Sequence, residues 1–494
     1  MENENQPLNS RDLTQVVEKH ETRKTNVIES HVNNEKDSKE DYIKDKIMTR
    51  SFIEKKEEVE VKLYPQRWYM LALYVFYMVC NSSQWLQYSI IPKAVSKFYG
   101  ISNWHVNLTS LVMMACYLPL ALPAASLMDR ISLRWTAILG STGTALGSGI
   151  KLFSATPSGF YVTLVGQTVV AISQVLMLSV PQKLSSIWFG EREVSSACSM
   201  GVFGFQFGLV VGFFLPPLLV SDHEDQKDIG DDLFKMFIFF AVASGTVAVL
   251  VVFTFKAKPD LPPTLSQARS RAETKTDFRT YIETLKRIFS QRHLLALFIF
   301  TGINNGCFNG LSTLLSQIFL NYFPGKEDTA GNIGVIMIVF GMSASVAYGF
   351  ILDRTKKFKF ILVMIYYMSA VAMATFTLLL VFNKTVWVMF VGAAFVGTFL
   401  CGFTAVSFDV ATELTYPESE LIVGTIMNMM SLLFTFATTL TFGYINETLG
   451  YLWGNVGFVV ALIFGATCTL PIKFELKRTA AQRSKLKDEE NMLS

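Results

Sequence analysis

Charge is scarce in this chain. Of 494 residues, 17% are Asp, Glu, Lys or Arg and 51% are hydrophobic, whereas a soluble chain spends about a quarter of its residues on charge. A water-facing globule of this length is therefore not expected. Histidine is scarcer still, with five in all, and His20 and His31 fall in the polar first stretch. No G-x-x-x-x-G-K-[ST], no H-E-x-x-H and no triad-like Ser/His/Asp set occurs, so an enzyme reading has little to stand on, and no cofactor or metal is expected. Cys80, Cys116, Cys198, Cys307, Cys401 and Cys468 lie far apart inside apolar runs without C-x-x-C spacing. They read as small buried hydrophobes rather than a disulfide framework or zinc site. The net charge of +3 is too small to suggest nucleic acid as a partner. The first sixty-odd residues hold no apolar stretch of signal-peptide type, so the first transmembrane helix is expected to do the targeting.

Apolar runs of spanning length are abundant instead. A helix needs roughly 20 mostly apolar residues to cross a hydrocarbon core, and about twelve segments qualify. The first six run at about 67–91, 105–128, 133–153, 159–182, 194–220 and 232–256. The second six run at about 292–322, 330–353, 359–382, 385–414, 420–445 and 451–472. The expected organisation is a disordered tail over 1–65, a six-helix bundle over 66–256, a basic linker over 257–291, a second bundle over 292–472 and a tail over 473–494. The tails are too polar to bury enough apolar surface to offset their ordering entropy.

Lys and Arg set the expected orientation. Arg130, Arg134, Lys183, Arg192, the linker, Arg354, Lys356, Lys357 and Lys359 fall on one side, which makes both termini cytoplasmic. The other side holds the acidic loop 221–232 with isolated Lys151, Lys326 and Lys384. Sequons at Asn383 and Asn446 fall on expected outer loops and are possible glycosylation sites, while those at Asn81 and Asn107 lie in or against the membrane.

The two sixes repeat at a spacing of about 225 residues. Gln66-Arg67-Trp68 opens the first helix and Gln291-Arg292-His293 the seventh. Leu127-Met128-Asp129-Arg130 follows the second helix, and Ile351-Leu352-Asp353-Arg354 the eighth. Parallel six-helix repeats build the major facilitator fold, with the substrate site between the halves near the midplane. The expected fold class is thus an all-α membrane protein with twelve transmembrane helices in two pseudo-symmetric six-helix bundles. The loops also resemble the superfamily's G-x-x-x-D-R-x-x-R motif. Gly349, Asp353 and Arg354 keep it in the second copy, and Asp129, Arg130 and Arg134 in the first, where Ala125 replaces Gly. Such charges cap helix ends and pair in one conformation but not another, so these residues are gating candidates.

Polar residues inside spans default to functional hypotheses. Asp409 stands in the tenth segment as a counter-charge, proton site or gating partner, with Glu413 one turn on as a structural partner. The first helix carries Asn81, Ser82, Ser83, Gln84, Trp85, Gln87 and Tyr88 in its outer half, and the seventh carries Asn304, Asn305, Gly306, Cys307, Phe308, Asn309 and Gly310. Lipid has no use for so many amides, so both stretches should line a cavity. Gly310, pseudo-equivalent to Trp85, is expected to open the helix opposite the indole. Gln167 and Gln174 share a face of the fourth helix, and Gln206 lies in the fifth. An indole beside amides suits a quaternary ammonium, a flat aromatic ligand, or simply an interfacial belt position.

Particular strings go further. Gln84-Trp85-Leu86-Gln87-Tyr88-Ser89-Ile90-Ile91, Trp188-Phe189-Gly190, Leu215-Pro216-Pro217, Ser312-Thr313-Leu314-Leu315 and Thr415-Tyr416-Pro417-Glu418-Ser419-Glu420 resemble the feline leukaemia virus subgroup C receptor family of facilitators. The resemblance runs collinearly from about Arg67 to the last helix. It implies facilitated transport of choline, or of ethanolamine, by a family earlier described as heme exporters or importers. It also implies that Trp85 stacks on the substrate, that Gln174 contacts it, and that Asp409 holds a position usually Glu in relatives. Asn309 stands where relatives have a clamp Tyr, and Leu432 where they have Gln, four residues after Asn428. Gln84, Asn305 and Asn309 complete the expected substrate site. The expected protein is a plasma-membrane carrier of choline or a related cation, monomeric in the bilayer. Heme export or import, and a non-transporting receptor on a carrier fold, are the alternatives.

Overall fold

The structure, a computed structural model, describes residues 61–190, 193–263, 278–355, 357–382, 385–416, 418, 420–472, 474, 476 and 477. Asn383, nearly all of both tails and the middle of the linker lie outside the described residues, as do the side chains of Asp129 and Asp353.

The first half is built from α1 (Gln66–Leu86), α2 (Pro92–Tyr99), α3 (Asn103–Arg130), α4 (Leu133–Leu152), α5 (Phe160–Met177), α6 (Val180–Trp188), α7 (Val194–Leu219) and α8 (Gln226–Thr254). After the linker helix α9 (Phe278–Ser290) come α10 (Arg292–Tyr322), α11 (Glu327–Thr355), α12 (Phe358–Phe382) and α13 (Val386–Val396). A π-helical turn, Gly397–Cys401, joins α13 to α14 (Gly402–Thr415), and α15 (Glu420–Thr448) and α16 (Tyr451–Thr469) complete the second half. Among the described residues, ten helical stretches are long and apolar enough to cross a membrane. The other two long helices, α1 and α4, have 21 and 20 residues, enough to span. Their apolar content is diluted because their polar residues face one another inside the first half.

Packing repeats between the halves. In the first, α1 lies on α7 and α4 on α8; in the second, α10 lies on α15 and α12 on α16. Across the halves α3 packs on α15 and α7 on α11, a pair of contacts related by the same swap of halves. Stripes of glycine permit the closest approaches, as expected where packing rather than hydrophobic exclusion joins helices in lipid. A Cβ at Gly212 of α7 would lie 2.6 Å from the Ser83 carbonyl of α1, and one at Gly306 of α10 would lie 2.6 Å from Phe434 Cβ of α15.

Two expected spans are interrupted, each at a proline. The first ends at Leu86, and Pro92 then opens α2 from its first position; the pyrrolidine ring disfavours helical backbone at Ile91, which adopts φ −117° and ψ 49°. Gly100 closes α2 at φ +66°, a left-handed cap that costs glycine little. In the fourth span Pro181 has no N–H to return to the Met177 carbonyl, and the Tyr74 hydroxyl donates to that oxygen instead at 3.1 Å. Within the linker, α9 turns Leu285 and Ile288 inward and leaves Lys286 and Arg287 exposed. Arg287 forms a two-bond pair with Glu418, Nε to Oε1 at 2.6 Å and Nη2 to Oε2 at 2.7 Å.

Candidate functional site

The polar stripe of α1 meets a matching stripe of α4. Asn81, Gln84 and Tyr88 recur at helical spacing, as do Thr144, Ser148 and Lys151. Asn81 Nδ2 donates to Thr144 Oγ1 at 2.9 Å and to the Val170 carbonyl at 3.2 Å. Gln84 Oε1 accepts from Lys151 Nζ at 2.9 Å and Ser148 Oγ at 3.1 Å. Lys151 also lies 5.6 Å from the centre of the Tyr88 ring. Lys151 is therefore no outer-loop lysine: it is 1% exposed, inside the first half. Its place at the third residue after Ser148, within the expected span, was the available signal.

Trp85 follows in the last turn of α1. It is 4% exposed, which rules out a lipid-belt position. Its carbonyl accepts from Ser110 Oγ of α3 at 2.9 Å. Its ring stands edge-on to Phe205 of α7, with centres 6.1 Å apart. The next residue of α7, Gln206, reaches across to Cys401 of the π-helical turn, Nε2 to Sγ at 3.9 Å. The ring that Trp85 meets is thus next in the chain to a residue that bridges the halves. Trp85 Nε1, Gln174 Nε2 and Gln206 Oε1 are buried without a hydrogen-bond partner among the described residues. Buried polar atoms are nearly always paired, so each of these three residues, on three different spans, keeps hydrogen-bonding capacity that the described residues do not use. Phe205 and Cys401 were not singled out from sequence, because each belongs to an ordinary apolar run.

The remaining expected site residues go elsewhere. Gln84 is spent on Lys151 and Ser148, and its Nε2 donates to the Cys80 carbonyl at 2.9 Å. Gln167 Nε2 donates to the Gln84 carbonyl at 2.8 Å, bracing the end of α1. Asn305 Oδ1 accepts from Thr404 Oγ1 of α14 at 3.0 Å, and Asn309 Nδ2 donates to Thr435 Oγ1 of α15 at 3.4 Å. Both amides thus tie the second half together. Gly310 does not open α10, which runs unbroken from Arg292 to Tyr322; a Cβ there would sit 2.6 Å from Thr438 Oγ1. The glycines bring α10 onto α15 rather than freeing space against the indole. Leu432 is buried at 8% exposure.

The Asp-Arg loops sit at the face where α1 begins and α16 ends. Arg130 and Arg354 are exposed, Arg134 Nη2 donates to the Val252 carbonyl at 3.2 Å, and Lys183 donates to the Met128 carbonyl at the end of α3. A lysine on the last carbonyls of a helix is favoured by their partial negative charge. Asp409 is exposed on α14, whereas Glu413 is buried at 5% exposure. Asn446 is not on an outer loop. It is 4% exposed inside α15, seated over Gly454 of α16, so glycosylation there is corrected to a packing role.

The opposite face is bolted between the halves. Gln317 Nε2 of α10 donates to Asn107 Oδ1 of α3 at 2.7 Å, and Ser316 Oγ donates to the Ile90 carbonyl at 2.8 Å. Lys93 pairs with Glu327 at 3.3 Å. The half-exposed ion pair is worth at most about 1 kcal/mol, but an orphaned buried amide costs about 1–3 kcal/mol. Gln317→Leu is therefore expected to favour opening of this face about tenfold. The measurement is the labelling rate of a cysteine at Thr313 by an impermeant maleimide added on that side. An unchanged rate would show that the bond holds nothing shut.

Residues 73–377 match the Major Facilitator Superfamily. A Caenorhabditis elegans protein described as an uncharacterized MFS-type transporter is 39% identical over 429 residues, 87% of this chain and 73% of that one. The human choline/ethanolamine transporter FLVCR2 is 37% identical over 434 residues, covering 87% and 82%. The solved D-xylose–proton symporter shares the fold at a TM-score of 0.65 with 12% identity, covering 83% of this chain and 98% of that one. Helix order, the swapped contacts between halves and these likenesses agree: the chain belongs to the major facilitator superfamily and, within it, to the feline leukaemia virus subgroup C receptor family of membrane transporters.

Proposed function

We propose that the protein carries choline or a related small organic cation by facilitated, alternating access, with the solute held against the Trp85 indole. The setting of that indole supports the reading most: it is sheltered, stands edge-on to Phe205 of α7, and its own Nε1 lacks a partner among the described residues. A quaternary ammonium spreads its charge and donates no strong hydrogen bond, so a ring face offsets its lost hydration where an amide alone would not. The related choline/ethanolamine transporters point the same way. In this reading Trp85 and Gln174 touch the solute, with Gln206 beside them. Gln84, Asn305 and Asn309 act as struts, consistent with their bonds. Asp129, Arg130, Arg134, Asp353, Arg354 and Asp409 belong to the cytoplasmic gate, with both termini on that side. The bolted face then looks outward from the plasma membrane, and the carrier works as a monomer.

The test is uptake of labelled choline, ethanolamine, betaine and heme by transport-deficient cells expressing the chain. Saturable choline or ethanolamine uptake is expected. Porphyrin flux without either amine would overturn the reading in favour of an amphipathic-anion carrier, and binding without any flux would turn it towards a receptor.

A further inference from the structure

Lys151 is a lysine buried inside a membrane bundle, and no ion pair to it occurs among the described residues. An ionisable side chain in such a place is costly, and an apolar one of similar volume is often at least as stabilising. Holding α4 against α1 does not require it, because Asn81–Thr144 and the close crossing of Gly147 with Gly166 already join α1, α4 and α5. Its partners are unusual in where they stand. Nζ donates to Gln84 Oε1 at 2.9 Å and lies over the Tyr88 ring at 5.6 Å. One is the residue before Trp85 and the other lies three after it, past the end of α1. The ammonium thus bridges the last helical residues and the turn at 87–91.

We propose that Lys151 is a positioning residue for Trp85, an assignment that rests on the functional reading above. Its amino group ties Gln84 to Tyr88, one before and one after the indole in the chain, while Gln167 and Ser110 fix the carbonyls of Gln84 and Trp85. Three other spans, α3, α4 and α5, thereby set the end point of α1 and the direction in which the indole leaves it. The stem of Lys151 reaches this place because Gly166 has no side chain: a Cβ there would lie 2.8 Å from Lys151 Cγ. Loss of the amino group leaves Gln84 with Ser148 as the remaining donor to Oε1 and frees the turn.

The experiment measures uptake kinetics and choline-induced thermal stabilisation for Lys151→Met, Gln84→Leu and the double variant, each normalised to protein in the membrane. Lys151→Met is expected to raise KM about tenfold with kcat within about twofold. In the Gln84→Leu background the same change should add less than about twofold, because the two act through one contact. An unchanged KM, or effects that multiply in the double variant, overturns the proposal. Should Lys151→Met fail to reach the membrane, Ser148→Ala weakens the same Gln84 oxygen and is expected to lower choline affinity about threefold; unchanged affinity there overturns it equally. Intact uptake in Trp85→Ala would remove the functional reading itself. Loss in Trp85→Ala with normal KM in Lys151→Met removes only the present assignment.

Discussion

Trp85→Ala is expected to lower choline uptake at low concentration about thirtyfold or more, while Trp85→Phe retains a measurable fraction. A dry cation–π contact contributes about 2 kcal/mol, which is about thirtyfold in affinity. Phenylalanine keeps a ring with a weaker quadrupole, so part of the attraction survives. Removing the indole also leaves a cavity, with a stability cost of about 3–5 kcal/mol, so uptake has to be read per molecule in the membrane. The informative comparison is between the two variants at equal abundance. Equal uptake by both, at the wild-type level, would mean that the indole is only filling space beside Phe205.

Gly212→Val is expected to have the largest structural effect. The new Cβ would lie 2.6 Å from the Ser83 carbonyl oxygen and 3.2 Å from its Cα, and backbone atoms cannot rotate away as a side-chain tip can. Overpacking of this kind costs about 1–3 kcal/mol or more, and its relief requires α1 to move off α7. Because Ser83 lies two residues before Trp85, displacement disturbs the indole as well as the helix pair. Little folded protein is expected in the membrane, and what remains should bind choline weakly. Gly149→Ala and Gly245→Ala are the controls, because a Cβ at either position meets nothing within 4 Å. Melting temperatures of the purified variants decide the matter, and a wild-type value for Gly212→Val would contradict the α1–α7 packing.

Much of the architecture was legible because bilayer physics leaves a strong trace in sequence. A span must satisfy its own backbone and face lipid, so its length and apolar content are fixed locally. The repeat of Asp129-Arg130 in Asp353-Arg354 likewise needs only a common offset. The breaks at Pro92 and Pro181 are local as well, yet they were missed because hydropathy does not register a lost N–H. Trp85 was visible as an indole among amides. Which amides share its space was not, since adjacent residues of a helix diverge by about 100° and the partner helix decides what each one meets.

By itself the sequence determined the membrane class, the all-helical repeat of the major facilitator fold and the family that the first-helix string resembles, because apolar length and internal repetition are properties of the chain alone. Only the tertiary structure decided that Gln84 serves Lys151, that Asn305 and Asn309 brace the second half, and that Asn446 is packed rather than displayed. In lipid a polar side chain must find a partner across helices, and that partner stands tens or hundreds of residues away along the chain.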